Sequence, residues 1–340
     1  KESKVPFIFI DLQASVAQWN PIFDKSSNAI EELLTAGLNM GEKGTDADFY
    51  RLEDRRVAKQ FADFCEAGSA SLLEKFRDFY ILHPDRISIA KKFHADLEEL
   101  ATTPCAQASE GFNFRQLIAE GSVIYVRGST RSSRILKLQR IFLISILQII
   151  ESRNRASARH TIIFMDEFKY VLSKPALEAL GTIRDKRAHI MIAHQSLADL
   201  KDCGGDLHPE AVIGGVVENC AIKIAYKARD ADTAEWLSRL SGTILVDDET
   251  RVIERNIGLA ETQNSQRMLR QAERALIDVN QLLMLPKRCA VLYGIGTAKF
   301  IFTSPIQIKS DSCLIKPQGE LIEPAGTNST SVAAGLLNVD

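Results

Sequence analysis

Asp166 and Glu167 stand side by side at the end of an apolar run, TIIFMDEF, from Thr161 to Phe168. A second apolar run, HIMIA from His189 to Ala193, leads into His194, Gln195 and Ser196. Adjacent carboxylates at the carboxyl end of a buried parallel strand can divide two tasks. Asp166 can hold the water shell of Mg²⁺, and Glu167 can orient or deprotonate a water that attacks a γ-phosphate. That is a Walker B arrangement, although an ordinary strand running into a solvated turn carries the same letters.

The residues between the two runs favour the chemical reading. KPALEALGTIRDKR, Lys174 to Arg187, predicts an amphipathic helix with Pro175 in its first turn and Leu177, Leu180 and Ile183 on one face. Strand, helix and strand make a βαβ unit, and ligands of such sheets bind at the carboxyl ends of the strands. The acid pair and Gln195 are therefore expected to face one crevice.

A second chemical grouping is cationic. Arg127, Arg131, Arg134, Lys137 and Arg140 crowd the entrance of a helix predicted from about Ser132 to Arg155, just after a strand at Ser122 to Val126. Bases at a helix N-terminus oppose the macrodipole and cost stability unless an anion offsets them. A nucleic-acid backbone is one such anion. Acids brought in from elsewhere in the fold are another. Arg127, Arg131, Arg134 and Lys137 are the candidate DNA contacts.

A phosphate loop would complete a nucleotide site, and GLNMGEKGTD, from Gly37, has the glycines and a lysine for one. It lacks the G-x-x-x-x-G-K-[ST] order, because Gly41 is followed by Glu42 and Lys43 by Gly44. It reads as a flexible loop between domains, and no other segment matches.

The 340 residues allow two or three domains, and 45% apolar content supplies a sizeable core. A net charge of −2 means that any nucleic-acid role rests on local patches. The six cysteines have no CxxC pair or zinc spacing and read as buried or incidental thiols of a reducing compartment. No signal peptide is evident, and the longest apolar stretch, Ile141 to Ile150, is half a membrane span.

In chain order, VPFIFI from Val5 is a buried strand ending at Asp11, and a sheet that opens so abruptly is expected to have its first strand outside these residues. Residues 46–109 read as an all-helical inserted domain, with Gly68 as a helix stop. Residues 1–45 and 110–310 then form a discontinuous α/β domain. Cys220 to Tyr226 reads as a strand, Asp230 as a helix N-cap, residues 250–280 as polar surface or connector, and Ala290 to Gly294 with Lys299 to Thr303 as a hairpin. From Asp311 the composition predicts a loosely held tail.

The chain resembles the conjugative coupling ATPases of the TraG/TraD type, the DNA pumps of type IV secretion systems. The resemblance rests on IIFMDEF (162–168), RDKRAHIMIAHQSLADL (184–200) and the closing DVNQLLMLPKRCAVLYGIGTAKFIF (278–302), and VPFIFID resembles the strand that follows the family's P-loop helix. It implies a RecA-like P-loop NTPase core with an all-helical insertion, using ATP and Mg²⁺. The motor would be a homo-hexamer around DNA at the cytoplasmic face of the bacterial inner membrane. Its partners would be relaxosome proteins, the secretion channel and, during transfer, single-stranded DNA. Residue by residue, Asp166 matches the ligand of Mg²⁺-bound water, Glu167 the catalytic carboxylate and Gln195 the γ-phosphate sensor, and Arg184 or Arg187 is a candidate finger toward the next subunit. The Walker A loop and membrane anchor would precede these residues in the parent protein. A non-hydrolysing recruitment segment, and an FtsK-like, HerA-like or protein-secreting ring ATPase, remain alternatives.

Overall fold

A computed structural model of the chain describes residues 5–42, 47–65, 70–203, 207–255, 261–306 and 320–321. It has two compact units that divide after Thr161, and residues 320–321 belong to the first.

In the first unit, strands β1 (Phe7–Asp11) and β2 (Val16–Ala17) lead into helices α1 (Ser27–Gly37), α2 (Ala47–Tyr50), α3 (Leu52–Cys65), α4 (Leu72–Leu82), α5 (Asp85–Ile89), α6 (Lys91–Ala101) and α7 (Phe114–Glu120). Strand β3 (Val123–Arg127) and helix α8 (Ser133–Glu151) follow. β1 and β3 pair in parallel, from Phe7 opposite Val123 to Asp11 opposite Arg127. Parallel neighbours need a crossover, and the whole helical set supplies it.

Local sequence explains the helix limits. Ser26 caps α1 by accepting the N–H of Ala29, Ser71 and Glu74 form a reciprocal capping box on α4, and Ser132 caps α8 through Ile135. Within the segment expected to be all-helical, Ala90, with φ of −123° and ψ of 62°, separates α5 from α6. Gly68 and residues 43–46 lie outside the described residues.

The longer helices α1, α3, α4, α6 and α8 each bury an apolar stripe, and the stripes meet in a single core. It joins Ile10 of β1, Leu33 and Leu34 of α1, Phe61 of α3, Phe79 of α4, Phe93 and Leu97 of α6, and Leu138 and Ile141 of α8. Phe61 sits edge-to-face on Phe79 and Phe93, with ring centroids 5.4 and 6.4 Å away. The helices expected as a separate insertion therefore share their core with the strand and α8. Burial lifts the thiols of Cys65 and Cys105 to about 12, which leaves both inert.

The second unit contains β4 (Thr161–Met165), α9 (Lys174–Thr182), β5 (Ala188–Ile192), α10 (Leu197–Lys201), α11 (Pro209–Asn219), β6 (Lys223–Ala225) and α12 (Ala231–Leu240). It continues with β7 (Thr243–Arg255), β8 (Glu261–Ala275), α13 (Val279–Leu283), β9 (Cys289–Tyr293) and β10 (Lys299–Phe302). β4 neighbours β5, β6, β9 and β10 form an antiparallel sheet, and β7 pairs with β8. Asp230 caps α12 through the N–H of Thr233, and the expected closing hairpin is β9–β10. At its turn Gly294 has φ 91°, and a Cβ there would fall on the carbonyl oxygen of Ala221.

One sequence expectation is corrected and another is made specific. The helix expected through Arg187 stops at Thr182, and a 3₁₀ turn over Ile183–Lys186 ends in Arg187 at φ 54°. Of residues 250–280, expected as polar surface or connector, 250–255 and 261–275 lie in β7 and β8, and β8 has no apolar alternation to announce a strand.

In the first unit, β2 also pairs with β11 (Glu320–Leu321); the rest of the tail from Asp311 lies outside the described residues. Among the described residues no helix is long and apolar enough to cross a membrane.

Candidate active site

Strand β4 buries Met165 at its end and delivers Asp166 into solvent. Asp166 Oδ1 accepts the N–H of Glu167 at 3.0 Å. Glu167 adopts φ 51°, a left-handed conformation that costs a non-glycine residue about 1–3 kcal/mol. The turn it makes sends Phe168 into complete burial, and the N–H of Phe168 donates to the carbonyl of Ala193 at 3.0 Å. Ala193 in turn donates to the carbonyl of Met165 at 2.9 Å, so the ends of β4 and β5 are laced together. Across this seam Gln195 Nε2 donates to Glu167 Oε1 at 2.7 Å. The structure thus brings Glu167 and Gln195 into contact, with Asp166 beside them.

Two further residues support this seam, and neither stood out in the sequence. Lys169 Nζ lies 3.2 Å from Asp199 Oδ1, while Asp199 Oδ2 accepts the N–H groups of Gln195 and Ser196 at 3.0 and 3.1 Å. Burial alone would raise the pKa of Asp199. The Lys169 ammonium and the two N–H groups outweigh it and hold the carboxyl below its ordinary range. The only sequence signal was the Ser196/Asp199 spacing of a capping box, which the structure contains at α10.

Arg184 and Arg187 are not brought to the acids. Both lie in the turn that precedes β5, whereas Gln195 follows that strand. Five residues of strand, at about 3.3 Å each, separate the two ends.

The basic set in the first unit divides. Arg127 makes a two-pronged pair with the buried Asp11, Nε to Oδ1 at 3.2 Å and Nη2 to Oδ2 at 2.6 Å. Lys137 is held between Asp96 at 2.7 Å and Glu99 at 2.5 Å, both on α6. Burial alone would lower the Lys137 pKa, but the two carboxylates raise it. Arg131 and Arg134 are exposed, and among the described residues neither has a carboxylate at ion-pair distance. Local acids therefore answer two of the four candidate DNA contacts.

A family model described as Type IV secretory system Conjugative DNA transfer matches residues 38–321. The chain belongs to this family. Mobilization protein A of Escherichia coli is 29% identical over 259 residues, covering 72% of this chain and 46% of that protein. The chain thus spans about half the length of the curated relative it matches. Among solved structures, the bacterial conjugative coupling protein TrwBdeltaN70, in its unbound monoclinic form, superposes with a TM-score of 0.65 at 13% identity, covering 88% of this chain and 74% of that one. TrwB in complex with the ATP analogue ADPNP gives 0.63 at 11% identity, covering 89% and 80%. TrwB with ADP and Mg²⁺ gives 0.61 at 14% identity, covering 90% and 80%. At these identities the likeness carries the fold, and the α/β fold of the coupling proteins is the fold of this chain.

For this conjugative-transfer chain the donor set can be matched to a metal. No group of three or more His, Cys, Asp or Glu among the described residues could hold an ion by itself. Mg²⁺ characteristically keeps several waters and takes one or two carboxylates together with phosphate oxygens. An exposed Asp166 suits that outer role. The 340 residues hold no G-x-x-x-x-G-K-[ST] segment, so they fit the acid side of a Mg²⁺-nucleotide site and not its phosphate cradle.

Proposed function

We propose that the chain is the motor part of a conjugative coupling protein, which uses ATP hydrolysis to drive DNA from the relaxosome into a type IV secretion channel. The observation that carries the reading is the Gln195–Glu167 hydrogen bond beside Asp166, at the ends of neighbouring strands, in a member of the conjugative DNA transfer family. Asp166 would hold Mg²⁺ through water, and Glu167 would take the proton of the attacking water. Gln195 would report on the γ-phosphate through its contact with that carboxylate. Bound Mg²⁺ would neutralise charge on the phosphates.

Arg184 and Arg187 lie too far from this acid pair along β5 to serve it within one chain. That supports their use as fingers toward a neighbouring subunit of a hexamer, where an arginine can accelerate phosphoryl transfer by several powers of ten. Arg131 and Arg134 are the cations best placed to meet DNA phosphates. Residues 1–45 with 110–310 would form the motor domain and 46–109 its helical insertion, packed on a shared core. The phosphate loop and a membrane anchor would come from elsewhere in the parent protein, placing this part at the cytoplasmic face of the inner membrane.

The experiment is ATP turnover by the full-length parent protein with and without single- and double-stranded DNA, beside Glu167→Gln. DNA-stimulated turnover that is lost in the variant, with nucleotide still bound, is the expected result. A parent that is inactive under every condition would favour a recruitment role without hydrolysis.

A further inference from the structure

We propose that Lys169 and Asp199 form a clasp that positions Gln195 against Glu167, a role that rests on the hydrolytic reading of the acid pair. Lys169 follows Glu167 by two residues and Asp199 follows Gln195 by four, so their ion pair joins the segments that leave β4 and β5. The clasp is sheltered, with the Lys169 and Asp199 side chains 23% and 17% exposed.

One carboxylate performs two separable jobs. Through Oδ2 it fixes the backbone N–H groups of Gln195 and Ser196, and so sets the point from which the Gln195 side chain departs. Through Oδ1 it ties that backbone to Lys169, on the segment that carries Glu167. Gln195 is itself exposed and has a long side chain with considerable rotamer freedom. A 2.7 Å bond from such a side chain persists when both backbones are fixed relative to each other. The Gln195 turn is also pinned from α12, because Leu197 N–H donates to Thr233 Oγ1, which is held by Asp230. No comparable contact is needed merely to cap α10: Ser196 Oγ accepts the N–H of Asp199, and the cap is complete without Lys169.

Lys169→Met separates the jobs, since it leaves the cap intact and removes the tie. In the full-length parent protein, Lys169→Met, Lys169→Arg and Asp199→Asn are compared with wild type. The readouts are kcat, KM for ATP, melting temperature and amide hydrogen exchange over residues 194–200. Lys169→Met is expected to lower kcat about tenfold, to leave KM within about twofold, and to speed exchange at Gln195 and Ser196. Lys169→Arg should restore most of kcat, because the cation is kept. Unchanged kcat and exchange in Lys169→Met, or a lower melting temperature with kcat intact, would overturn the clasp as a positioning device. If wild type and Glu167→Gln turn over ATP alike, the hydrolytic reading fails instead. In that case the exchange difference still decides whether Lys169 orders the Gln195 turn.

Discussion

Gln195 Nε2 donates to Glu167 Oε1 at 2.7 Å, linking residues 28 positions apart at the ends of adjacent strands. A neutral amide in that place can orient the carboxylate without neutralising it, which a lysine or arginine would do. Gln195→Ala in the full-length parent is therefore expected to lower ATP turnover roughly a hundredfold, as loss of a preorganised donor does, while nucleotide affinity holds. Single-turnover kinetics beside equilibrium nucleotide binding would check it; a matching loss of affinity would make Gln195 a binding group.

The basic set predicts two kinds of variant. Arg131→Ala with Arg134→Ala should flatten the salt dependence of DNA binding by up to about two units in the slope of log K against log salt. Lys137→Ala should instead cost stability, because it strands Asp96 and Glu99 beside each other. Binding isotherms over a salt series, read beside melting curves, separate the two.

Phe61 is fully buried at the centre of the aromatic contacts among α3, α4 and α6. Phe61→Ala is expected to destabilise the first unit by about 3–5 kcal/mol. Because the core also includes Ile10 and Ile141, the loss should appear in one transition with that of β1 and α8. A separate low-temperature transition confined to residues 46–109 would show an independently folding insertion.

Lys25 borders a cavity of about 210 Å³ beside Trp19 and Phe114, where it donates to Gln148 Oε1 at 2.9 Å. Burial, and then the guanidinium of Arg115, bring its pKa down from 10.5 to about 8. Below pH 8 the cost of a buried ammonium is fully present. Between 8 and 10.5 the folded chain releases a proton that the unfolded chain keeps, so this contribution to stability rises with pH. Lys25→Met should therefore melt roughly 2–6 °C above wild type at pH 7, with the gap narrowing toward pH 10. Differential scanning calorimetry at both values tests the sign, and an equal gap at both would place Lys25 in solvent.

The parts of the fold legible in the sequence were those that local residue patterns write. TIIFMDEF announces a strand because its apolar run is continuous, and Asp230 announces α12 because a cap acts within three residues. What was not legible depends on distant partners or on backbone conformation. Lys169 and Asp199 are 30 residues apart, and Arg127 meets Asp11 across 116. The left-handed turns at Glu167 and Arg187 carry no glycine to advertise them. The first aims the acid at Gln195, and the second ends the helical segment early. Strand β8 is mostly polar, with no apolar alternation, and gave no period to read.

Asp11 and Arg127 face each other on the last rung of the β1–β3 ladder, and their fork closes it with charge. The Asp11 side chain is 6% exposed, so its carboxylate cannot be left alone cheaply, while the Arg127 side chain is 57% exposed and could otherwise face water. The dependence is one-sided within the pair. Relatives that give up the arginine should give up the acid as well, whereas an arginine can outlive its acid. Across the family the two positions should therefore drift as a coupled couple with an unequal direction of loss.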